Sequence, residues 1–108
     1  MAADPALPDA PGVWATDAKG RPVLVHLYQG GDYRLSDITD NFQLGRPDPA
    51  AGKENPVLVL TRKELRTLKT MADAYSFDYE DGFIEMCHEI ERFARTQPGE
   101  ELRLIANF

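Results

Sequence analysis

The run Pro56-Val57-Leu58-Val59-Leu60, followed at once by Thr61-Arg62-Lys63-Glu64, constrains this chain more than any other stretch. Its four apolar residues fill both faces of a period-2 pattern, which places the strand in the middle of a sheet covered on both sides. Thr-x-x-Glu is a capping box, in which the hydroxyl accepts from the third helical amide while the carboxylate reaches back to the cap amide. A strand therefore gives way directly to a helix at Thr61. Leu65, Leu68, Ala72 and Tyr75 form one stripe of that helix.

The same grammar extends in both directions. Asp78 is expected to cap a second helix with the stripe Phe83, Met86, Cys87, Ile90, Phe93 and Ala94, ended by Pro98-Gly99. Leu102, Leu104 and Phe108 then alternate with polar neighbours and read as an edge strand. Upstream, Val13-Trp14 and Val23–Tyr28 flank the turn Asp17-Ala18-Lys19-Gly20 and predict a β-hairpin. Gly30-Gly31-Asp32 forms the next turn. Residues 36–44 fit either a short helix begun at Ser36, with Leu35, Ile38 and Phe42 at helical spacing, or a strand. Gly45 to Pro56, rich in Pro and Gly, reads as an exposed loop. The expected fold class is α+β, with an antiparallel β-sheet, a two-helix hairpin packed on one face and a C-terminal strand. Residues 1–12 are expected as a flexible tail and residues 13–108 as a single domain.

Composition narrows the function classes. With 108 residues, 43% apolar and 28% charged, the chain is an ordinary globular domain. A net charge of −6 argues against a general nucleic-acid binder, because counterion release needs a basic surface. One cysteine excludes an internal disulfide framework and suits a reducing cytoplasm. No stretch approaches 18 uninterrupted apolar residues, so no membrane span is expected. Met1–Gly12 has neither the basic nor the apolar region of a secretory signal, so a cytoplasmic protein is expected.

Catalytic sets are sparse. The two serines, Ser36 and Ser76, lie outside any Gly-x-Ser-x-Gly elbow. Cys87 and His88 are adjacent on a helix and point about 100° apart, so they do not form a nucleophile–base pair. Cys87, on the apolar stripe, is expected as a buried structural thiol. Glu85-x-x-His88 occurs once, whereas di-iron bundles use the motif on two helices. A calcium loop with Gly82 at its sixth position would put Phe77, Tyr79 and His88 where carboxylates are required. His26, assigned to a strand face with Leu24 and Tyr28, is expected as a hydrogen-bonded sheet residue. Glycine-rich phosphate cradles are missing. No metal, cofactor or catalytic residue is expected.

Charge patterning is more informative. Asp73 to Glu91 holds seven acids and no Lys or Arg. Asp78, Glu80 and Asp81 at a helix start, and Arg92 and Arg95 at its end, suit the helix dipole. Arg62, Lys63 and Arg66 crowd the start of the preceding helix, where positive charge is unfavourable. One explanation pairs Lys69 with Asp73 and the other basic residues with the acidic helix. The other makes Arg62, Lys63, Arg66 and Lys69 one partner-binding surface and Asp81, Glu85 and Glu89 another, which a two-fold homodimer would match to each other.

The stretch Leu44-Gly45-Arg46-Pro47-Asp48-Pro49, with Pro56-Val57-Leu58-Val59-Leu60-Thr61-x-x-Glu64-Leu65, resembles the core of a family of small actinobacterial proteins of unknown function that includes the developmental protein BldB. That family shows an Arg-Asp turn, a Pro-headed apolar strand, and Thr-x-x-Glu opening a helix. Trp14 matches its early tryptophan by position, while Leu65 stands where an aromatic is usual. The resemblance implies a non-enzymatic bacterial protein acting with a helix-turn-helix transcriptional regulator. An acidic protein suits a basic regulator and is repelled by DNA itself. The expected function is thus a cytoplasmic protein-interaction module. The alternatives are a small metal-binding protein or enzyme using His26, His88, Glu85 and nearby carboxylates, and a nucleic-acid mimic built on the acidic helix.

Overall fold

A computed structural model describes residues 7–48 and 55–108. The order of elements is β1 (Gly12–Thr16), β2 (Pro22–Leu27), α1 (Asp37–Phe42), β3 (Arg46–Pro47), β4 (Val57–Thr61), α2 (Arg62–Ala74), α3 (Asp81–Ala94) and β5 (Glu101–Ala106). The strands form one antiparallel sheet in the order β2-β1-β5-β4-β3. This is the α+β arrangement expected, with helices α2 and α3 packed as a hairpin over the sheet.

Local chemistry explains most of the elements. Asp17 closes the β1–β2 hairpin by accepting from the amides of Lys19 and Arg21, each at 2.9 Å, while Gly20 takes the positive φ of +79° that the turn requires. The capping box forms as expected: Glu64 N donates to Thr61 Oγ1 at 3.1 Å, and Thr61 N to Glu64 Oε1 at 3.0 Å. Residues 37–42 are helical, with Ile38 and Phe42 buried. The loop expected over residues 45–56 contains the two-residue strand β3, which pairs Arg46 with Val59 and Pro47 with Leu58. Residues 49–54 of that loop lie outside the described residues.

The sheet has two buried faces. Val13, Ala15, Leu58, Leu60, Leu102 and Leu104 join the helices in the main core. Trp14, Val57, Val59 and Ile105 are buried on the opposite face. Leu60 and Leu104, fully inaccessible, each contribute about 1.5–3 kcal/mol of burial.

Three expectations need correction. The strand expected at the sheet edge, β5, lies at its centre between β1 and β4, because Ile105 supplies a second apolar face that the alternation of Leu102 and Leu104 does not reveal. The second helix begins at Asp81 rather than after Asp78. Its N-cap, Glu80, makes no side-chain cap bond; the carboxylate instead accepts from the Asp32 amide at 3.0 Å. Finally, the segment expected as a tail is tied down over its described part. Asn107 Nδ2 donates to the carbonyls of Pro8 and Ala10, and the Trp14 indole donates to Ala10. Residues 1–6 of that tail lie outside the described residues.

Candidate functional site

The candidate surface grows out of the turn between α2 and α3. Its backbone is closed by Asp78 N donating to Tyr75 O at 3.0 Å. Phe77 sits in this turn with 101% exposure, against 37–44% for Leu24, Leu27 and Tyr75, the other exposed large apolar residues among those described. A fully exposed phenylalanine gains nothing from burial in this fold. It lines a groove of about 530 Å³ that runs along α3. Asp81, Glu85 and Glu89 recur on successive turns of the helix and share that groove with His88 and Arg92. The three acids expected as a binding face are therefore brought together. In the sequence Phe77 stands out as an aromatic among acids that lies off both helix stripes, the signal that marks it.

Glu89 also has an inward role. His26, 3% exposed, places Nδ1 2.8 Å from Glu89 Oε1 and Nε2 2.6 Å from the Tyr33 hydroxyl. Both ring nitrogens are therefore hydrogen-bonded, one to Glu89 and the other to Tyr33. A β-bulge makes this possible. Val13 pairs with His26 while Trp14 pairs with Leu24, so Val25 is the extra residue. Consecutive Val25 and His26 are thereby both buried and Leu24 is left exposed. His26 does not share a face with Leu24 as strict alternation implied. Burial pushes the Tyr33 phenol up to about 12, with Tyr28 and the carboxylates of Glu85, Glu80 and Glu89 adding to the effect. A phenol so placed is buried and holds its proton.

The basic residues divide by role. Arg62 is turned onto the end of α3. Its Nε donates to the Gly99 carbonyl at 2.6 Å, Nη1 to Ala94 at 2.5 Å and Nη2 to Gln97. Ala94 is the last residue of α3 and Gln97 and Gly99 lie in the turn that follows it, so the guanidinium clamps the C-terminal end of the neighbouring helix and the turn beyond it. That explains a positive charge at an unfavourable helix start. Lys69 bonds Asp73 at 2.9 Å, and Asp73 reaches across the hairpin to His88 Nε2 at 3.2 Å. The Lys69 hydrogen bond holds the Asp73 carboxyl below its ordinary value. Lys63 and Arg66 are exposed, with no side-chain partner among the described residues. They lie toward the start of the 13-residue α2, about 17 and 12 Å along its axis from Ala74, the end nearer Phe77.

Other chemistry is not assembled. Among the described residues no three His, Cys, Asp or Glu side chains come together in a way that could hold a metal. His26 and His88 point to different partners. Cys87 is buried, and its thiol is pushed up to about 12 by burial, the opposite of an activated nucleophile. Among the described residues no helix is long and apolar enough to cross a membrane. No family model, no curated protein and no solved structure matches this chain.

Proposed function

We propose that this protein is a non-enzymatic interaction module of the bacterial cytoplasm that binds a basic protein partner through Phe77 and the acidic groove of α3. The full exposure of Phe77 beside Asp81, Glu85 and Glu89 carries the reading. Aromatic anchors at protein interfaces contribute disproportionately to affinity, and acidic surroundings select and steer a basic partner. The resemblance around Pro56–Leu65 makes a helix-turn-helix regulator the partner of choice. A two-fold dimer, in which Lys63 and Arg66 of one copy meet the acidic α3 face of the other, belongs to the same reading.

The test is affinity capture with wild type, Phe77→Ala and Glu85→Lys as baits. Recovery of a helix-turn-helix protein by wild type, lost with both variants, is the expected result. Equal recovery by all three would sink the assignment of the surface. Charge reversal at Lys63 and Arg66 tests the dimer by elution volume, and unchanged elution removes it. Arg62 is a poor probe because it holds α3.

A further inference from the structure

We infer that the outer edge of β2 takes an extended, basic segment of a partner protein as a sixth strand of the sheet. This rests on the basic partner proposed above and adds the conformation in which that partner binds.

β2 ends the sheet on its side, with β1 its one strand neighbour among the described residues. Exposed edges are ordinarily blunted by charge, by proline or by short length. The opposite edge follows that rule, since β3 is only Arg46 and Pro47. β2 does not. Its six residues, Pro22–Leu27, include proline at the first position alone and no Lys, Arg, Asp or Glu. Leu24 and Leu27, two of the four exposed large apolar residues among those described, both lie on it.

The ladder decides which backbone groups face outward. Gly12 is bonded away from β2: its amide donates to Asn107 Oδ1 at 2.7 Å, and its carbonyl accepts from Asn107 N at 3.1 Å. Gly12 pairs with Leu27, and Trp14, two residues on, pairs with Leu24. Antiparallel alternation therefore turns the N–H and C=O of Leu24 and Leu27 away from β1. The extra residue at Val25 keeps both leucines on the sheet face opposite α3.

The charge over the strand selects the occupant. His26 on β2 faces α3, with Nδ1 2.8 Å from Glu89 Oε1, and Glu85 stands exposed one turn earlier on that helix. A second copy paired β2 to β2 would bring two acidic helices together, which like charge opposes. A basic strand instead gains on both faces. Its residues opposite Leu24 and Leu27 point to the leucine side, and their neighbours point toward Glu85 and Glu89. The segment that fits alternates Lys or Arg with Val or Ile, its backbone bonds supplying affinity and its side chains selection.

The experiment is an NMR titration of the whole chain with the blocked peptides Lys-Val-Lys-Val-Lys and Glu-Val-Glu-Val-Glu, with amide exchange read at high occupancy. The lysine peptide is expected to shift the amides of Val23 to Leu27 and to bind at least about tenfold more tightly than the glutamate peptide. Exchange at Leu24 and Leu27 should slow about tenfold when nine-tenths of the protein is bound, because only the unbound tenth then exchanges. Leu24→Pro removes an outward donor and leaves the β1 ladder intact, so it should weaken the lysine peptide about tenfold. The unliganded spectrum reports whether that variant folds, and a lysine peptide N-methylated at both valines tests the same bonds on wild type. Shifts confined to α3 would leave the acidic-face reading standing and overturn strand addition. Unchanged exchange at Leu24 and Leu27, equal affinity of the two charges, or full binding by the N-methylated peptide would also overturn it. The capture experiment with Phe77→Ala judges the underlying reading separately.

Discussion

His26 Nε2 lies 2.6 Å from the Tyr33 hydroxyl, and this hydrogen bond is buried between a strand and the loop that follows it. Tyr33→Phe removes the hydroxyl and leaves the ring nitrogen without a partner. A buried orphan of this kind costs about 1–3 kcal/mol. Urea denaturation should show that loss, with an unchanged slope against denaturant.

Arg62→Ala removes the guanidinium from three carbonyls, one at the end of α3 and two in the turn after it, and should cost about 1.5–3 kcal/mol, the range for hydrogen bonds to a charged group. Arg62→Lys keeps the charge but not the fork, so an intermediate loss is expected. Lys63→Ala, one residue on and exposed, should stay within about 0.5 kcal/mol of wild type. Equal losses at positions 62 and 63 would contradict the clamp.

The two helix-start arginines looked alike in sequence because a local pattern reports only a residue's own helix. What distinguishes Arg62 is contact with residues 32 to 37 positions away. The same limit explains the other departures. The Asp17 turn and the Thr61–Glu64 box were legible because their partners lie within four residues. The central position of β5 depends on β1 and β4, which no local period encodes. The bulge at Val25 broke the alternation on which the face of His26 was read. Of the site, the acids Asp81, Glu85 and Glu89 were legible from spacing, while Phe77 needed exposure to be seen.

Stability should fall in alkali. Burial raises Cys87 from 9.0 to about 12, and burial with nearby phenol and carboxylate charge raises Tyr33 from 10.0 to about 12. Both groups keep their protons more tightly when folded. Their contribution is whole below the unfolded values and is lost as the pH climbs from about 9 toward 12. Urea midpoints across that range should decline, and Cys87→Ala should flatten the early part. Thiol labelling of the native protein near neutral pH should proceed only as fast as the protein opens.

Phe77→Ala should leave the unfolding free energy within about 0.5 kcal/mol of wild type, because the ring is fully exposed. A loss above about 2 kcal/mol in thermal or urea unfolding would show that the ring packs in solution and would remove it as an anchor.

Gly12 has no room for a side chain, since a Cβ there would stand 2.0 Å from the His26 carbonyl oxygen. Gly12→Ala must push β1 from β2 and should cost about 1–3 kcal/mol, read from the shift in the urea midpoint. Gly20→Ala meets no atoms and suffers only from its positive φ, so it should be milder.

The central place of β5 sets an order on synthesis. The β1–β2 hairpin and the β3–β4 pair have no hydrogen-bonded link to each other except through β5, which leaves the ribosome after all of them. Until then the apolar run Val57–Leu60 has no strand beside it but two-residue β3. Assembly of the sheet therefore waits on contacts distant in sequence, which slows folding and keeps a sticky strand exposed meanwhile. Any nascent chain stalled before Glu101 would present two separate half-sheets, a natural substrate for holding chaperones.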